Sequence, residues 1–180
     1  MQKVVIVISI LLFSLPNQIY SQDSRFEQAS YEILNQVFLK KVPNSFLCKK
    51  VLQVDWEKYL EIEYLMKNNS GIDKFFEPIQ LDLTKQDLDF MKEMVLNKRI
   101  KQWKKRNIKN IQLINNCKRI DYSHYSLYRI SLPVFNEDLS YSIIIEEYNG
   151  GMEDGSSFLR IFKNDGNLWK EIAFIQLWVS

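Results

Sequence analysis

The chain has 180 residues, of which 24 are Lys or Arg and 22 are Asp or Glu, so its formal net charge is only +2. A charge this close to neutral excludes the strongly basic or acidic classes of protein, in which overall charge alone selects a partner. Aromatic residues make up 13% of the chain, and Gly and Pro number only 5 and 4. This composition predicts a folded domain and not a disordered segment.

The N-terminus has the pattern of a secretory signal peptide. Lys3 precedes a twelve-residue apolar stretch over residues 4–15, and Ser21 offers a small residue near its exit. An uncleaved membrane anchor is the alternative, but crossing the hydrocarbon of a bilayer takes about 20 apolar residues. We therefore predict a signal peptide over residues 1–21 and one exported α+β domain over residues 22–180, periplasmic or extracellular. No transmembrane span is expected after cleavage.

Cys48 and Cys117 are the only two cysteines. In an oxidising compartment they could pair and close a loop of about 70 residues, a constraint of about 4 kcal/mol in the chain-entropy model. The alternative is two buried free thiols, because unpaired Cys is among the residue types most often buried. Export favours the disulfide. With a single His and two distant cysteines, neither a Cys/His zinc site nor any other cofactor is predicted.

Three stretches before the C-terminal third favour helices. Ser24 and Glu27 form a capping box, and apolar residues recur at helical spacing over residues 25–41. A second helix is predicted from Asp55 to just before Asn69, although the same stretch also alternates like a strand.

The third predicted helix begins at Thr84, where Asp87 completes another capping box. Asn97 is its expected end, and a longer helix that continues through Trp103 is the alternative. Short strands are expected within residues 46–54 and 108–114.

The C-terminal third has the pattern of an antiparallel meander. Strands are predicted over residues 128–134, 141–148, 158–163 and 168–179. The run Ile143-Ile144-Ile145 suggests a central strand covered on both faces, and Asn164-Asp165-Gly166-Asn167 is typical of a tight hairpin turn. The predicted fold is α+β, with two or three N-terminal helices packed on one face of a C-terminal antiparallel sheet of about four strands.

A basic run from Lys98 to Lys109 is the most conspicuous charge feature. Between Lys98 and Arg119 there are nine basic residues and no acidic one. Cations around an aromatic ring can hold a polyanion by ion pairing and stacking. The candidate binding residues are Lys101, Trp103, Lys104, Lys105 and Arg106. The alternative is a solvated helix end whose Lys and Arg stems simply cover Trp103.

The predicted compartment restricts which kinds of partner this basic run could bind. An exported protein meets little nucleic acid, so we expect an unknown protein or an anionic envelope polymer instead. The leading hypothesis is a non-enzymatic binding or interaction domain. One version of it is an immunity-type inhibitor that neutralises a toxin in the envelope.

A secreted hydrolase acting on glycan or peptide is the alternative function. Glycoside hydrolysis uses a pair of carboxyl groups, and the candidates by residue type are Glu146, Glu147, Asp154 and Asp165. Because neighbours on a strand point to opposite faces, Glu146 and Glu147 are not expected to converge. His124 is the only histidine, and no Gly-x-Ser-x-Gly nucleophile motif occurs with it.

Three short stretches carry a resemblance: Leu83–Leu88, Ser131–Phe135 with Tyr141, and Asn167–Lys170, followed by the end Trp178-Val179-Ser180. Through them, residues 80–180 resemble a loosely defined group of small exported Bacteroidota-type proteins of unknown function. The resemblance implies a compact α+β domain and transfers no catalytic residues.

Overall fold

The computed structural model describes residues 24–38, 44–71, 79–96, 100–117, 125–150, 154–166 and 168–179. Within these ranges the predicted α+β class is confirmed, with three α-helices and one mixed sheet. The predicted signal peptide, His124 and the end of the first predicted helix lie outside the described residues.

The helices follow the local signals closely at two of three places. Helix α1 covers residues 24–37, α2 covers Ile62–Asn68 and α3 covers Lys85–Leu96. The second capping box is confirmed, since the Thr84 N–H donates to Asp87 Oδ2 (2.8 Å) and the Asp87 N–H donates to Thr84 Oγ1 (3.2 Å).

Helix α2 is shorter than predicted, and its alternative as a strand is wrong. Residues 57–59 form a separate turn, in which the Trp56 carbonyl accepts the N–H groups of Tyr59 and Leu60 at 3.0 Å. The helix begins only after that turn, at Ile62.

The alternative of a third helix that continues through Trp103 is also wrong. Gln102 pairs with Lys50 in an antiparallel bridge, and the Trp103 N–H donates to the Lys49 carbonyl at 2.8 Å. This extended pairing uses backbone groups that a helix would need internally, so tertiary contact overrides helix propensity here.

The sheet has more strands than predicted and is not purely antiparallel. Its strands are β1 Ser45–Cys48, β2 Ser70–Gly71, β3 Gln112–Ile114, β4 Ser126–Ile130, β5 Val134–Phe135, β6 Tyr141–Asn149, β7 Gly155–Asn164 and β8 Trp169–Val179. Seven of them run in the order β2-β8-β7-β6-β4-β1-β3, and β5 pairs with β6 beside that path. Strand β1 is parallel to both β3 and β4. The short strands expected within residues 46–54 and 108–114 correspond to β1 and β3, but they belong to this same sheet and add a parallel part to it. The predicted strand over residues 128–134 is divided into β4 and β5. Strand β2 was not expected, because a strand of two residues shows no readable periodicity.

The long strands β6, β7 and β8 form the predicted meander. Ile143, Ile144 and Ile145 are only 0%, 0% and 3% exposed, which confirms a central strand covered on both faces. The β7–β8 hairpin is confirmed as well. Gly166 has a φ of +92°, a conformation that favours glycine, and its N–H donates to Asn164 Oδ1 at 2.9 Å.

The helices cover both faces of the sheet and not one, which corrects the predicted layering. Ile143 and Ile145 belong to a core with residues of α2 and α3, whereas Ile144 belongs to a second core with residues of α1. Successive side chains on a strand point to opposite faces, so these cores lie on opposite sides of β6. We call the two sides the α2–α3 face and the α1 face.

The predicted disulfide between Cys48 and Cys117 is confirmed, with the two Cα atoms 5.8 Å apart. It joins the end of β1 to the residues after β3, and both cysteines belong to a buried cluster with Leu127 of β4. Among the described residues, none of the helices combines the length and apolarity that crossing a membrane requires.

Candidate functional site

A cavity of about 200 Å³ lies on the α1 face, beside the C-terminal end of α1. We call it the charged cavity, because one arginine in its wall forms ion pairs with two glutamates. Its lining residues are Gln36, Val37, Phe38, Tyr128, Glu146, Arg160, Phe162 and Glu171.

Strand register brings these side chains to one face. Glu146 lies two residues beyond Ile144 on β6, and Arg160 of β7 is paired directly with Ile144. Since paired residues and residues two apart share a face, Glu146 and Arg160 both point to the α1 side.

An irregularity in the β7–β8 pairing adds the third charge. Ile161 pairs with Ala173, but the next residue, Phe162, pairs with Glu171, so β8 has one extra residue at this point. The extra residue places Glu171 on the α1 face, within reach of Arg160.

Arg160 binds both carboxylates at once. Its Nη2 lies 2.9 Å from Glu146 Oε1, and its Nη1 lies 2.7 Å from Glu171 Oε1. With both glutamates ionised, the three groups carry a formal charge of −1 inside the domain.

Two polar atoms of this ion cluster have no hydrogen-bond partner among the described residues. They are Glu146 Oε2 and Arg160 Nε, and both are buried. The Glu146 side chain is only 5% exposed. An unpaired buried polar atom costs about 1–3 kcal/mol, and more when it is charged, so this arrangement lowers the stability of the fold.

Burial dominates the acid–base properties of the cavity. It raises the pKa of Glu171, Arg160 opposes the rise and Glu146 adds to it. Burial, followed by the charge of Glu146, raises the pKa of Tyr128 to about 12. For Arg160, burial lowers the pKa, but the two glutamates outweigh it, so the pKa is raised.

The candidate binding residues predicted from the sequence lie elsewhere, along residues 100–109. Lys101, Lys104, Lys105 and Arg106 are exposed. Trp103 is 0% exposed and packs edge-to-face on Tyr31 of α1, with ring centroids 5.7 Å apart. Its assignment as a stacking contact is therefore wrong, because a ring inside the core cannot reach a ligand on the surface.

The loop that carries these cations is fixed to α1 by hydrogen bonds. The Asn35 side chain donates to the Asn107 carbonyl at 3.0 Å and accepts the Lys109 N–H at 2.7 Å. The Lys104 N–H donates to the Tyr31 hydroxyl at 3.0 Å. The cations therefore project from a backbone held in place at both ends of the 3₁₀ turn Lys105–Asn107.

Tertiary pairing extends the basic run with a residue distant in sequence. The bridge between Lys50 and Gln102 places exposed Lys50 beside the run. Lys104 is neutralised by Glu27, 2.7 Å away. We define the basic surface as Lys50, Lys101, Lys105, Arg106 and Lys109, all exposed and none in an ion pair with another described residue.

The other three carboxylates considered for hydrolysis each bind a different partner and do not form a common site. Glu147 lies 3.8 Å from Arg129 and lines a different depression from Glu146, as their positions on β6 predict. Asp154 accepts the Tyr148 hydroxyl at 3.1 Å, and Asp165 lies 2.6 Å from Lys170.

Sequence reasoning missed Arg160, Glu171 and Tyr128. A signal for the first of them was present, since Arg160 lies two residues before Phe162 on a strand of alternating apolar residues. A charge at an inward position of a strand is rare unless it is paired. No comparable signal exists for Glu171, because the extra residue on β8 breaks the alternation.

Within the described ranges, no three His, Cys, Asp or Glu side chains come together as possible metal ligands. Comparisons of the chain with models of known protein families, with curated proteins and with solved structures give no match.

Proposed function

We propose that the chain is an exported, non-enzymatic binding domain whose basic surface holds an anionic polymer of the cell envelope. The observation that carries this proposal is the charge of the basic surface, which no described residue compensates. Residues 100–117 contain five cations and no Asp or Glu, and only Lys104 has an ionic partner among the described residues.

The fixed backbone under these cations also supports binding. A loop that is already ordered loses less conformational entropy when a partner arrives than a mobile loop would. Asn35 and Tyr31 of α1 provide this order through their bonds to residues 104–109. The buried Trp103 has the matching structural role of attaching the segment to the core.

A hydrolase acting on glycan or peptide is the second candidate, and the two glutamates of the charged cavity are what favours it. A general acid and a nucleophile or base must flank the bond that breaks. Glu146 and Glu171 instead bind the terminal nitrogens of one guanidinium, so each is already held by Arg160. This arrangement suits a charge cluster better than a catalytic pair.

Export remains a proposal that rests on residues 1–21. It predicts that the protein recovered from the envelope or the medium begins at Gln22. N-terminal sequencing or intact mass measurement checks this. In the immunity-type version of the function, a toxin gene is expected next to the gene for this chain.

The basic surface is tested by reversing two of its charges. The variant Lys105→Glu/Arg106→Glu changes residues of the 3₁₀ turn that are exposed and have no described ion pair. We expect its affinity for heparin and for purified lipopolysaccharide, measured by biolayer interferometry, to fall at least tenfold. The salt dependence of binding should become shallower, because fewer ionic contacts are made.

The matched control is Lys67→Glu/Lys85→Glu, which makes the same charge change at exposed positions of α2 and α3. This control should bind within twofold of the unaltered protein. An equal loss in both variants would show that only net charge matters. Failure of the unaltered protein to bind either polymer would contradict the proposal.

A further inference from the structure

The charged cavity has a feature that the basic surface does not explain. Glu146 Oε2 is buried at the cavity wall and accepts no hydrogen bond from any described residue, while Glu146 Oε1 is bound to Arg160. A buried carboxylate oxygen without a donor is costly, and hydrogen bonds to a charged group are among the strongest in proteins. A ligand with a hydrogen-bond donor could therefore bind Glu146 Oε2, because no described wall residue donates to this atom.

Charge indicates what kind of donor is missing. With both glutamates ionised, Glu146, Glu171 and Arg160 sum to −1. Both terminal nitrogens of Arg160 are occupied by carboxylates, so the guanidinium is not available to grip an anion through its fork. A cation is therefore favoured over an anion.

The walls and the volume limit the cation to a small organic one. Tyr128 and Phe38 line the cavity, with their rings edge-to-face at 5.2 Å between centroids. An aromatic face beside an organic cation adds attraction. At about 30 Å³ per water, a cavity of about 200 Å³ would hold roughly six or seven water molecules. A short amine matches this volume.

We propose that the charged cavity binds a small organic cation whose N–H groups donate to Glu146 Oε2 and to Glu171, with the ring of Tyr128 beside the positive charge. The ligand class is that of primary ammonium and amidinium compounds. Arg160 is the positioning residue, because its two terminal nitrogens hold the two carboxylates in place.

The test uses the unaltered protein with putrescine and agmatine as probes, titrated by calorimetry and by NMR. We expect saturable 1:1 binding, with the largest chemical-shift changes at Tyr128 and Phe38. Choline, which has the charge but no N–H donor, should bind at least tenfold more weakly than putrescine. Glutarate, a small dianion, should not bind.

The decisive variant is Glu146→Gln, and its control is the neighbouring Glu147→Gln. The first removes the charge and the unpaired carboxylate oxygen inside the cavity, and the second removes the same charge from the opposite side of β6. We expect at least tenfold weaker putrescine binding for Glu146→Gln and a change within twofold for Glu147→Gln.

Three results would overturn the proposal: no saturable binding of either amine to the unaltered protein, equal binding by choline, or equal effects of the two variants. The first of these needs no substitution, so it is unaffected if Glu146→Gln folds poorly. None of these results would contradict the proposed function of the basic surface, because that function is tested with different residues and different probes.

Discussion

The two faces of the sheet bury their side chains in different ways. On the α2–α3 face, Ile143, Ile145 and Ile161 join a core of apolar and aromatic residues. On the α1 face, the same strand β6 passes from Ile144 to Glu146, and the apolar core gives way to an ion cluster around Arg160. One strand therefore contributes to a hydrophobic core and to a charged cavity.

This contrast indicates which face serves stability alone. Apolar burial contributes about 25 cal/mol per Å² of buried area and does not depend on the precise orientation of the groups. A buried ion cluster is different, since replacing it by packed apolar residues is often neutral or stabilising. A fold that keeps Glu146 buried with one oxygen unpaired accepts a cost that the α2–α3 face avoids. That cost is the reason to place a ligand site on the α1 face.

The largest expected effect comes from removing the disulfide. Replacing both cysteines, as in Cys48→Ala/Cys117→Ala, should lower the free energy of unfolding by about 4 kcal/mol, because the bond closes a loop between residues 69 apart in sequence. Urea denaturation measures the loss. Amide exchange should rise more in β1, β3 and β4 than in β7 and β8, and a uniform rise would contradict the local role of the bond.

Truncation on the α2–α3 face should have the next largest effect. Ile161 is fully buried, so Ile161→Ala removes methyl groups from a packed core and should destabilise the protein by about 3–4 kcal/mol. Because Glu146, on the other face, is the only charged residue among the buried residues that the structure describes, the loss should be the same at pH 5 and pH 8. Ile161→Val should cost about 1 kcal/mol, and a loss as large as that of Ala would argue against the cavity explanation.

Arg160→Met tests the α1 face and should cost about 3 kcal/mol at pH 8, since it leaves two glutamates close together without their cation. Arg160 opposes the rise that burial causes in the pKa of Glu171, so without Arg160 the folded-state pKa of Glu171 lies further above the unfolded value. The contribution of Glu171 to stability is then present below the unfolded pKa and is lost as the pH rises through the folded one. Denaturation curves of the variant and the unaltered protein should therefore converge towards pH 4.

The second change Glu146→Leu, added to Arg160→Met, should recover part of the stability at pH 8. It removes the more buried of the two uncompensated charges. If the single variant Arg160→Met were as stable as the unaltered protein at pH 8, Arg160 would make no net contribution to the free energy of unfolding.

Glu171→Gln should have the smallest effect, and it lies in the pH dependence. Burial raises the folded-state pKa of Glu171 above the ordinary value, so its contribution to stability is present below that value and is lost as the pH rises through the raised one. The Gln variant lacks this loss. Its stability relative to the unaltered protein should therefore be more favourable at pH 7 than at pH 4, as measured by urea midpoints. A difference that does not depend on pH would contradict the assignment.

Much of the local structure could be predicted because it depends on neighbours in sequence. The Thr84–Asp87 capping box, the hairpin turn at Gly166 and the doubly covered strand at Ile143–Ile145 are each set by a few adjacent residues. The Cys48–Cys117 pair was also predictable, since these are the only two cysteines of the chain. The signal peptide, the basic surface as a binding site and the Bacteroidota-type resemblance stay predictions.

Only the tertiary structure decided what depends on pairing between distant segments. Trp103 looked like a surface contact among cations, but the bridge between Lys50 and Gln102 fixes its segment and Tyr31 covers its ring. The parallel strand β1 and the division of helices between two faces carry no periodic signal in the sequence.

The charged cavity shows the same division most clearly. The sequence by itself determined that Glu146 and Glu147 point to opposite faces, because strand alternation is local. It did not determine that Glu146, Arg160 and Glu171 meet, because that depends on the register between three strands and on one extra residue in β8. Register is set by how whole faces pack, so the site exists only once the sheet and α1 have assembled.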